Sequence, residues 1–128
     1  MTAEYTVLVV EDEKILREGC ARLLDREGFR VLRAASGQEA VEILAAEPVD
    51  VIICDLKMPV MDGLGLLEET KAKYPSIPVI MITGHGTIES VVECMKKGAH
   101  DLITKPFRAE HLVRATRSAL ESCLSKKQ

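Results

Sequence analysis

At 128 residues the chain fits one domain, a size that normally buries roughly two-thirds of the surface of the unfolded form. Against 17 Lys and Arg stand 20 Asp and Glu, a net charge of −3 with no basic stripe, which argues against direct nucleic-acid binding. An aromatic content of 3% with no Trp disfavours a site of stacked rings, and no apolar run reaches the ~18 residues of a membrane span.

In chain order, the run Val7-Leu8-Val9-Val10 predicts a first strand that stops on Glu11-Asp12. Ile15, Cys20, Leu23 and Leu24 follow at helical spacing, with Gly28 where that helix should end. Arg30 to Ala34 reads as a weaker strand. Ser36 and Glu39 form a capping box opening a helix with Ala40, Ile43 and Leu44 on one stripe. Val51-Ile52-Ile53-Cys54 is the third strand and stops on Asp55; Leu64, Leu67 and Tyr74 mark a third helix. Val79-Ile80-Met81-Ile82 runs into Thr83, and a fourth helix from about Thr87 to Lys97 carries Ile88, Val91, Val92 and Met95. Leu102-Ile103-Thr104 runs into Lys105, and a fifth helix from about Ala109 to Ser122 carries Leu112, Val113, Thr116 and Leu120. Pro48, Pro75, Pro78 and Gly98 punctuate the connections. No internal repeat, low-complexity stretch or linker interrupts the pattern.

Short continuous Val/Ile/Leu runs are what strands look like when helices cover both faces of a parallel sheet. The alternation βαβαβαβαβα predicts right-handed crossovers and an α/β doubly wound fold, with the flavodoxin-like five-strand order 2-1-3-4-5 suiting this length. In that order the topological switch lies between the first and third strands, so Glu11-Asp12 and Asp55 become neighbours. Cys20, Cys54, Cys94 and Cys123 contain no CxxC pair and read as free thiols. The amino-terminal run from Tyr5 to Val10 is too short for a signal h-region, so a cytoplasmic, reducing location is the default expectation.

Three carboxylates in one crevice repel one another, two unit charges ~4 Å apart costing on the order of 4 kcal/mol at an effective dielectric near 20. A hard divalent cation with oxygen ligands answers that repulsion, and Mg²⁺ takes one or two carboxylates with waters and phosphate oxygens. Lys105 supplies a mobile point charge for a phosphoryl oxygen and Thr83 a hydroxyl donor. The set describes a site for a phosphoryl group carried on a carboxylate. Singly, each residue has a plainer reading: Glu11 or Asp12 as a helix cap or solvated turn acid, Lys105 as a loop lysine, Thr83 as an ordinary strand end. Their recurrence at successive strand ends favours function.

The chain resembles a two-component response-regulator receiver domain, with residues 1–128 a single phosphoacceptor domain. The resemblance rests on Val7-Leu8-Val9-Val10-Glu11-Asp12-Glu13, Ala35-Ser36-Gly37-Gln38-Glu39-Ala40, Asp55-Leu56-Lys57-Met58-Pro59-Val60-Met61-Asp62-Gly63, Met81-Ile82-Thr83-Gly84 and Lys105-Pro106-Phe107 in this order and spacing. It implies that Asp55 accepts a phosphoryl group from a sensor histidine kinase or a small phosphodonor. It implies Mg²⁺ on Asp12 and Asp55, with Glu11 acting through water and the Lys57 backbone carbonyl as a further ligand. Lys105 would pair with the phosphoryl group and Thr83 would move to hydrogen-bond it, with no other cofactor. The Lys105-Pro106 bond is cis in the family, which would aim Lys105 inward. Lys57 and His85 would flank the hydrolytic water and tune the acyl-phosphate lifetime. Gly84 leaves Asp55 approachable or is a plain turn glycine; Gly63 eases the loop into the third helix or breaks structure; Met58 and Met61 read as loop packing.

Leu102 departs from the pattern, since receivers commonly place Tyr or Phe three residues before the lysine as half of a switch with the threonine. Coupling would then run through the segment from Thr83 to Ile88 and a shift of the fourth helix. The stretch Met81 to Thr87, continuing through Met95-Lys96-Lys97-Gly98-Ala99, is most similar to nitrogen-regulatory-type receivers of sigma-54-dependent transcriptional activators. That implies an output domain or downstream regulator as partner, with a homodimer through the fourth helix, fifth strand and fifth helix; neither P-loop nor helix-turn-helix is in this chain. The rivals are a pseudo-receiver interaction module, a flavin-binding carrier of the same fold and a phosphatase of haloacid-dehalogenase type. Against the last two stand Glu11-Asp12-Glu13 where a flavin phosphate would want a small-residue loop, and Asp55-Leu56-Lys57 in place of a DxD motif after the first strand.

Overall fold

Every element predicted from periodicity forms. A computed structural model of the chain describes residues 5–57, 63–84 and 87–127, with side chains described as far as residue 122. In chain order the elements are β1 (Thr6–Val10), α1 (Lys14–Arg26), β2 (Arg30–Ala34), α2 (Gly37–Ala46), β3 (Val51–Asp55), α3 (Gly63–Lys73), β4 (Val79–Thr83), α4 (Ile88–Lys96), β5 (Asp101–Thr104) and α5 (Ala109–Lys127). The strands make one parallel sheet in the order β2-β1-β3-β4-β5, as the pattern requires.

Because side chains alternate across a strand, each apolar run feeds two cores. Val7, Val9, Val51, Ile53, Ile80, Ile82 and Ile103 pack with Cys20 and Leu24 of α1 and Leu112, Ala115 and Ala119 of α5. On the opposite face Leu8, Val10, Ile52, Cys54 and Met81 pack with Ala40 and Leu44 of α2, Leu66 and Leu67 of α3 and Cys94 of α4. Complete burial of β1, β3 and β4 explains why those runs lack polar alternation. β2 reads weakly because it is an edge strand with Arg30 and Arg33 turned to solvent.

The caps refine the boundaries. Ser36 Oγ accepts from the Glu39 N–H at 3.1 Å, but the Glu39 carboxylate reaches back to the Ala35 N–H at 3.3 Å rather than to the N-cap amide. Thr87 is the N-cap of α4 rather than its first helical residue, and it forms a capping box with Ser90 that the S/T-x-x-E/Q pattern does not detect. Gly28 and Gly98, just past α1 and α4, have φ of 93° and 100°, the left-handed conformation that closes a helix. α5 continues to Lys127, beyond the expected end near Ser122.

Four apolar residues do not lie where periodicity puts them. Ile15, expected on the buried face of α1, is 89% exposed, because the helix meets the sheet through Cys20, Ala21 and Leu24. In α4, Ile88, Val92 and Met95 are 84%, 44% and 47% exposed, and the helix docks through Cys94 instead. A helical period identifies an apolar side without identifying what covers it.

Candidate functional site

The carboxyl ends of β1, β3, β4 and β5 converge, and the pairing register says how. Val10 pairs with Cys54, so Glu11 and Asp55 leave the sheet side by side; Asp55 pairs with Ile82, which puts Thr83 one step further along β4. Thr83 pairs in turn with Thr104, and the Lys105 N–H donates to the Thr83 carbonyl at 2.8 Å. Four segments distant in sequence thereby present two acids, a hydroxyl and an amine along one edge, and Asp12 joins them from the loop after β1.

Glu11 and Asp55 are 4% and 7% exposed, so their carboxylates sit largely out of water, whereas Asp12 is exposed. One carboxylate oxygen from each of Glu11, Asp12 and Asp55 falls within 4.8 Å of the others. Lys105 Nζ lies 3.4 Å from Glu11 Oε1 and 3.4 Å from Asp55 Oδ2, at the long end of an ion pair and between the two buried acids. Backbone donors hold the acids: the Glu13 N–H reaches Glu11 Oε2 at 3.0 Å and the Lys57 N–H reaches Asp55 Oδ1 at 3.2 Å. The Lys105–Pro106 peptide bond is cis.

Burial pushes the Glu11 carboxyl up from its ordinary 4.5 to about 7. The Asp55 charge and a hydrogen bond shared with Asp12 act in the same direction, while the Glu13 N–H and Lys105 oppose it. For Lys105, burial alone would lower the ammonium pKa, but Asp55 and Glu11 outweigh it and the net direction is upward. The cluster therefore has more negative charge than one lysine can compensate. Three oxygen donors at this spacing fit a hard divalent cation and not a soft metal that seeks sulfur or imidazole.

Gly63, at the start of α3, has a steric role that a simple breaker would not. A Cβ at this position would fall on the Asp55 backbone carbonyl oxygen and 2.7 Å from the Leu56 Cα, so only glycine lets α3 start directly beneath the end of β3. Gly84 differs: among the described residues a Cβ there would meet only Lys105 Cδ, at 3.9 Å, and its φ is not in the left-handed region.

Leu102 is half-buried on β5 opposite Met81, packed on the same face of the sheet as Cys94 of α4. Thr83 is buried on the strand alongside. Lys57 has an exposed side chain close to Asp55. His85, Met58 and Met61 lie outside the described residues. Cys20, Cys54 and Cys94 are buried and outside any disulfide, and no described helix is long and apolar enough to cross a membrane. Sequence patterns missed Arg17, whose guanidinium Nη1 donates to the Glu11 carbonyl at 3.0 Å.

Comparison with known proteins agrees with this geometry. The family model for the response regulator receiver domain matches residues 7–117. The chain is 47% identical over 117 residues to an NtrX-like response regulator of Rickettsia bellii, covering 90% of this chain and 24% of that protein. It is 40% identical over 121 residues to the C4-dicarboxylate transport transcriptional regulatory protein DctD of Rhizobium meliloti, covering 94% of this chain and 26% of that protein. It thus spans about a quarter of the length of the curated relatives it matches. Among solved structures, a CheY-like receiver domain protein of Methanospirillum hungatei superposes with a TM-score of 0.93 at 27% identity, covering 97% of this chain and 99% of that one. NtrX of Brucella abortus superposes with a TM-score of 0.92 at 35% identity, covering 98% of this chain and 29% of that one. The chain belongs to the response regulator receiver domain family of two-component systems.

Proposed function

We propose that this domain is a phosphorylation-dependent switch in which Asp55 is the phosphoacceptor. The observation that carries the reading is the placement of Lys105 Nζ 3.4 Å from both Asp55 and Glu11, beside three carboxylate oxygens within 4.8 Å. One Asp55 carboxylate oxygen attacks phosphorus, the donor's N–P bond breaks, and the electron pair leaves with the imidazole of a sensor histidine kinase. The product is an acyl phosphate, which water later cleaves to restore the carboxylate. Glu11, Asp12 and Asp55 would hold Mg²⁺ with the Lys57 backbone carbonyl, and the ion neutralises charge on the phosphoryl oxygens when bound. Lys105 pairs with one of those oxygens, and the Thr83 hydroxyl donates to another.

The donor protein needs room beside Asp55, and Gly84 leaves it. It also needs a surface to sit on: a groove lined by Ile15, Leu16, Leu23, Pro106 and Phe107 opens next to Lys105. Output follows from Thr83 turning towards the phosphoryl group, which draws the segment leading to α4 and repositions that helix without an aromatic partner at Leu102. The partner surface for a phosphorylation-sensitive homodimer is α4-β5-α5, where Ile88, Val92 and Met95 are exposed. Relatives about four times longer support an output domain or downstream regulator acting in transcription, in a cytoplasmic setting. Lys57 and His85 set the acyl-phosphate lifetime from the approach path of the attacking water.

Incubation with radiolabelled acetyl phosphate and Mg²⁺ tests the reading. The label is expected on the wild-type protein, absent from Asp55→Ala and acid-stable but alkali-labile; label retained by Asp55→Ala would overturn the assignment. Decay of the same label measures the lifetime, and an unchanged rate after replacing both Lys57 and His85 would remove their role.

A further inference from the structure

The loop that carries Glu11 and Asp12 is held from the outside by a residue no site motif includes. Arg17 lies in the opening turn of α1, with its side chain folded back over the end of β1. Its Nη1 donates to the Glu11 carbonyl at 3.0 Å and makes a longer contact of 3.5 Å to the Asp12 carbonyl. Those carbonyls belong to the peptide units on the carboxyl side of the two acids, so the guanidinium fixes the planes that set where the Asp12 side chain leaves the backbone. Asp12 is the one exposed acid of the cluster, and it lacks the packing that holds Glu11 and Asp55. Its direction depends on its backbone.

Helix chemistry does not account for an arginine at this position. The amino end of a helix favours anions, yet α1 has no acid in its first turn, begins with Lys14, and takes no side-chain hydrogen bond from its N-cap residue Glu13. A cation there opposes the helix dipole by a few tenths of a kcal/mol or more. A local rule broken beside a site, with a specific contact in its place, points to a functional reason. Arg17 is itself oriented: its Nε is 3.7 Å from Glu18 Oε2, and the other oxygen of Glu18 accepts from Arg33 Nε on β2 at 3.0 Å. The chain Arg33, Glu18, Arg17 thus anchors the acidic loop to the edge of the sheet.

We infer that Arg17 is a positioning residue for divalent-cation binding: it presets the Glu11-Asp12 loop so that both carboxylates face Asp55, and takes no part in phosphoryl transfer. The inference rests on the Mg²⁺ and Asp55 reading above. Outer-shell groups that orient metal ligands commonly change affinity tenfold or more.

The test uses Arg17→Met, which keeps the apolar stem and removes the donors, with Arg17→Lys and Glu18→Gln alongside. Mg²⁺ is titrated against the amide shifts of Glu13 and Lys57, whose N–H groups donate to Glu11 and Asp55, and the acetyl-phosphate rate is measured at saturating Mg²⁺. Arg17→Met is expected to raise the Mg²⁺ Kd about tenfold while leaving the saturated rate within about twofold. Arg17→Lys should recover part of the loss and Glu18→Gln should show a smaller loss; should Arg17→Met fail to fold, these two still report the graded order. An unchanged Kd in all three variants overturns the inference, as does a parallel fall of affinity and saturated rate with shifts spread across the domain. A wild-type protein with no Mg²⁺ response overturns the site reading itself, a result distinguishable from failure of the Arg17 role alone.

Discussion

Replacing Glu11 with Gln should stabilise the metal-free protein by an amount set by pH. Glu11 is 4% exposed, and its carboxyl is pushed from 4.5 to about 7, chiefly by burial. At ~1.4 kcal/mol per tenfold change in proton affinity, holding that group ionised in the folded state costs about 3 kcal/mol. The folded state keeps a proton that the unfolded chain releases, so the stability this proton carries is fully present below pH ~4.5 and lost as pH rises to ~7. Gln is neutral throughout. The difference between variant and wild type should therefore be near zero at the acid end and approach about 3 kcal/mol by pH ~8. Gln retains an oxygen for the Glu13 N–H, and Lys105 retains Asp55. Urea unfolding in EDTA at about pH 5, 6.5 and 8 reads the effect as a rising midpoint difference at constant slope. Mg²⁺ should narrow the gap at pH ~8, because a ligand of the folded state at 100 times its Kd adds ~2.7 kcal/mol to a wild type that binds it and less to a variant that binds it weakly. A gain that is the same at every pH, or a loss at pH ~8, would refute burial of a charged Glu11 as the source of the conflict.

Gly63→Ala and Gly84→Ala should separate cleanly. The first drives a methyl group into the backbone beneath Asp55 and should lose about 1–3 kcal/mol in urea unfolding despite alanine's better helix propensity. The second meets, among the described residues, only Lys105 Cδ at 3.9 Å and should stay within about 0.5 kcal/mol of wild type; equal effects at the two positions would contradict the geometry. On α4, Val92→Ser should leave stability within about 0.5 kcal/mol, since the side chain is 44% exposed, but weaken self-association of the phosphorylated domain by light scattering. Unaltered self-association would exclude this stripe from the dimer surface.

Most of the architecture was legible because the runs of β1, β3 and β4 are buried on both sides and bounded by turn chemistry, so strand type and helix order follow from length and period. The meeting of Glu11 with Asp55 across more than forty residues was legible for the same reason: the order 2-1-3-4-5 leaves no other neighbour for the end of β1 on that side. What the pattern could not supply was contact made through the backbone. Arg17 reads as an ordinary helix cation until its guanidinium is seen on the Glu11 carbonyl. Gly63 reads as punctuation until a Cβ is built against Asp55, and Ser90 is missed as a cap partner because a hydroxyl does the work usually given to a carboxylate.

The misplaced apolar residues carry a different lesson. Periodicity placed Ile15 on the core face of α1 and read Ile88, Val92 and Met95 as an ordinary packing stripe, yet all four lie outward. An isolated domain gains nothing from leaving such side chains in water, each full burial being worth roughly 1.5–3 kcal/mol. Their positions are not random: Ile15 rims the groove beside Lys105, and the α4 stripe lies on the helix that follows Thr83. One flanks the proposed acceptor Asp55 and the other lies on the helix proposed to respond to Thr83. Exposure at these two places is what the proposed relay needs if one partner must be met before transfer and another after it, and it accounts for apolar residues at Ile15 and on the α4 stripe that the fold leaves uncovered.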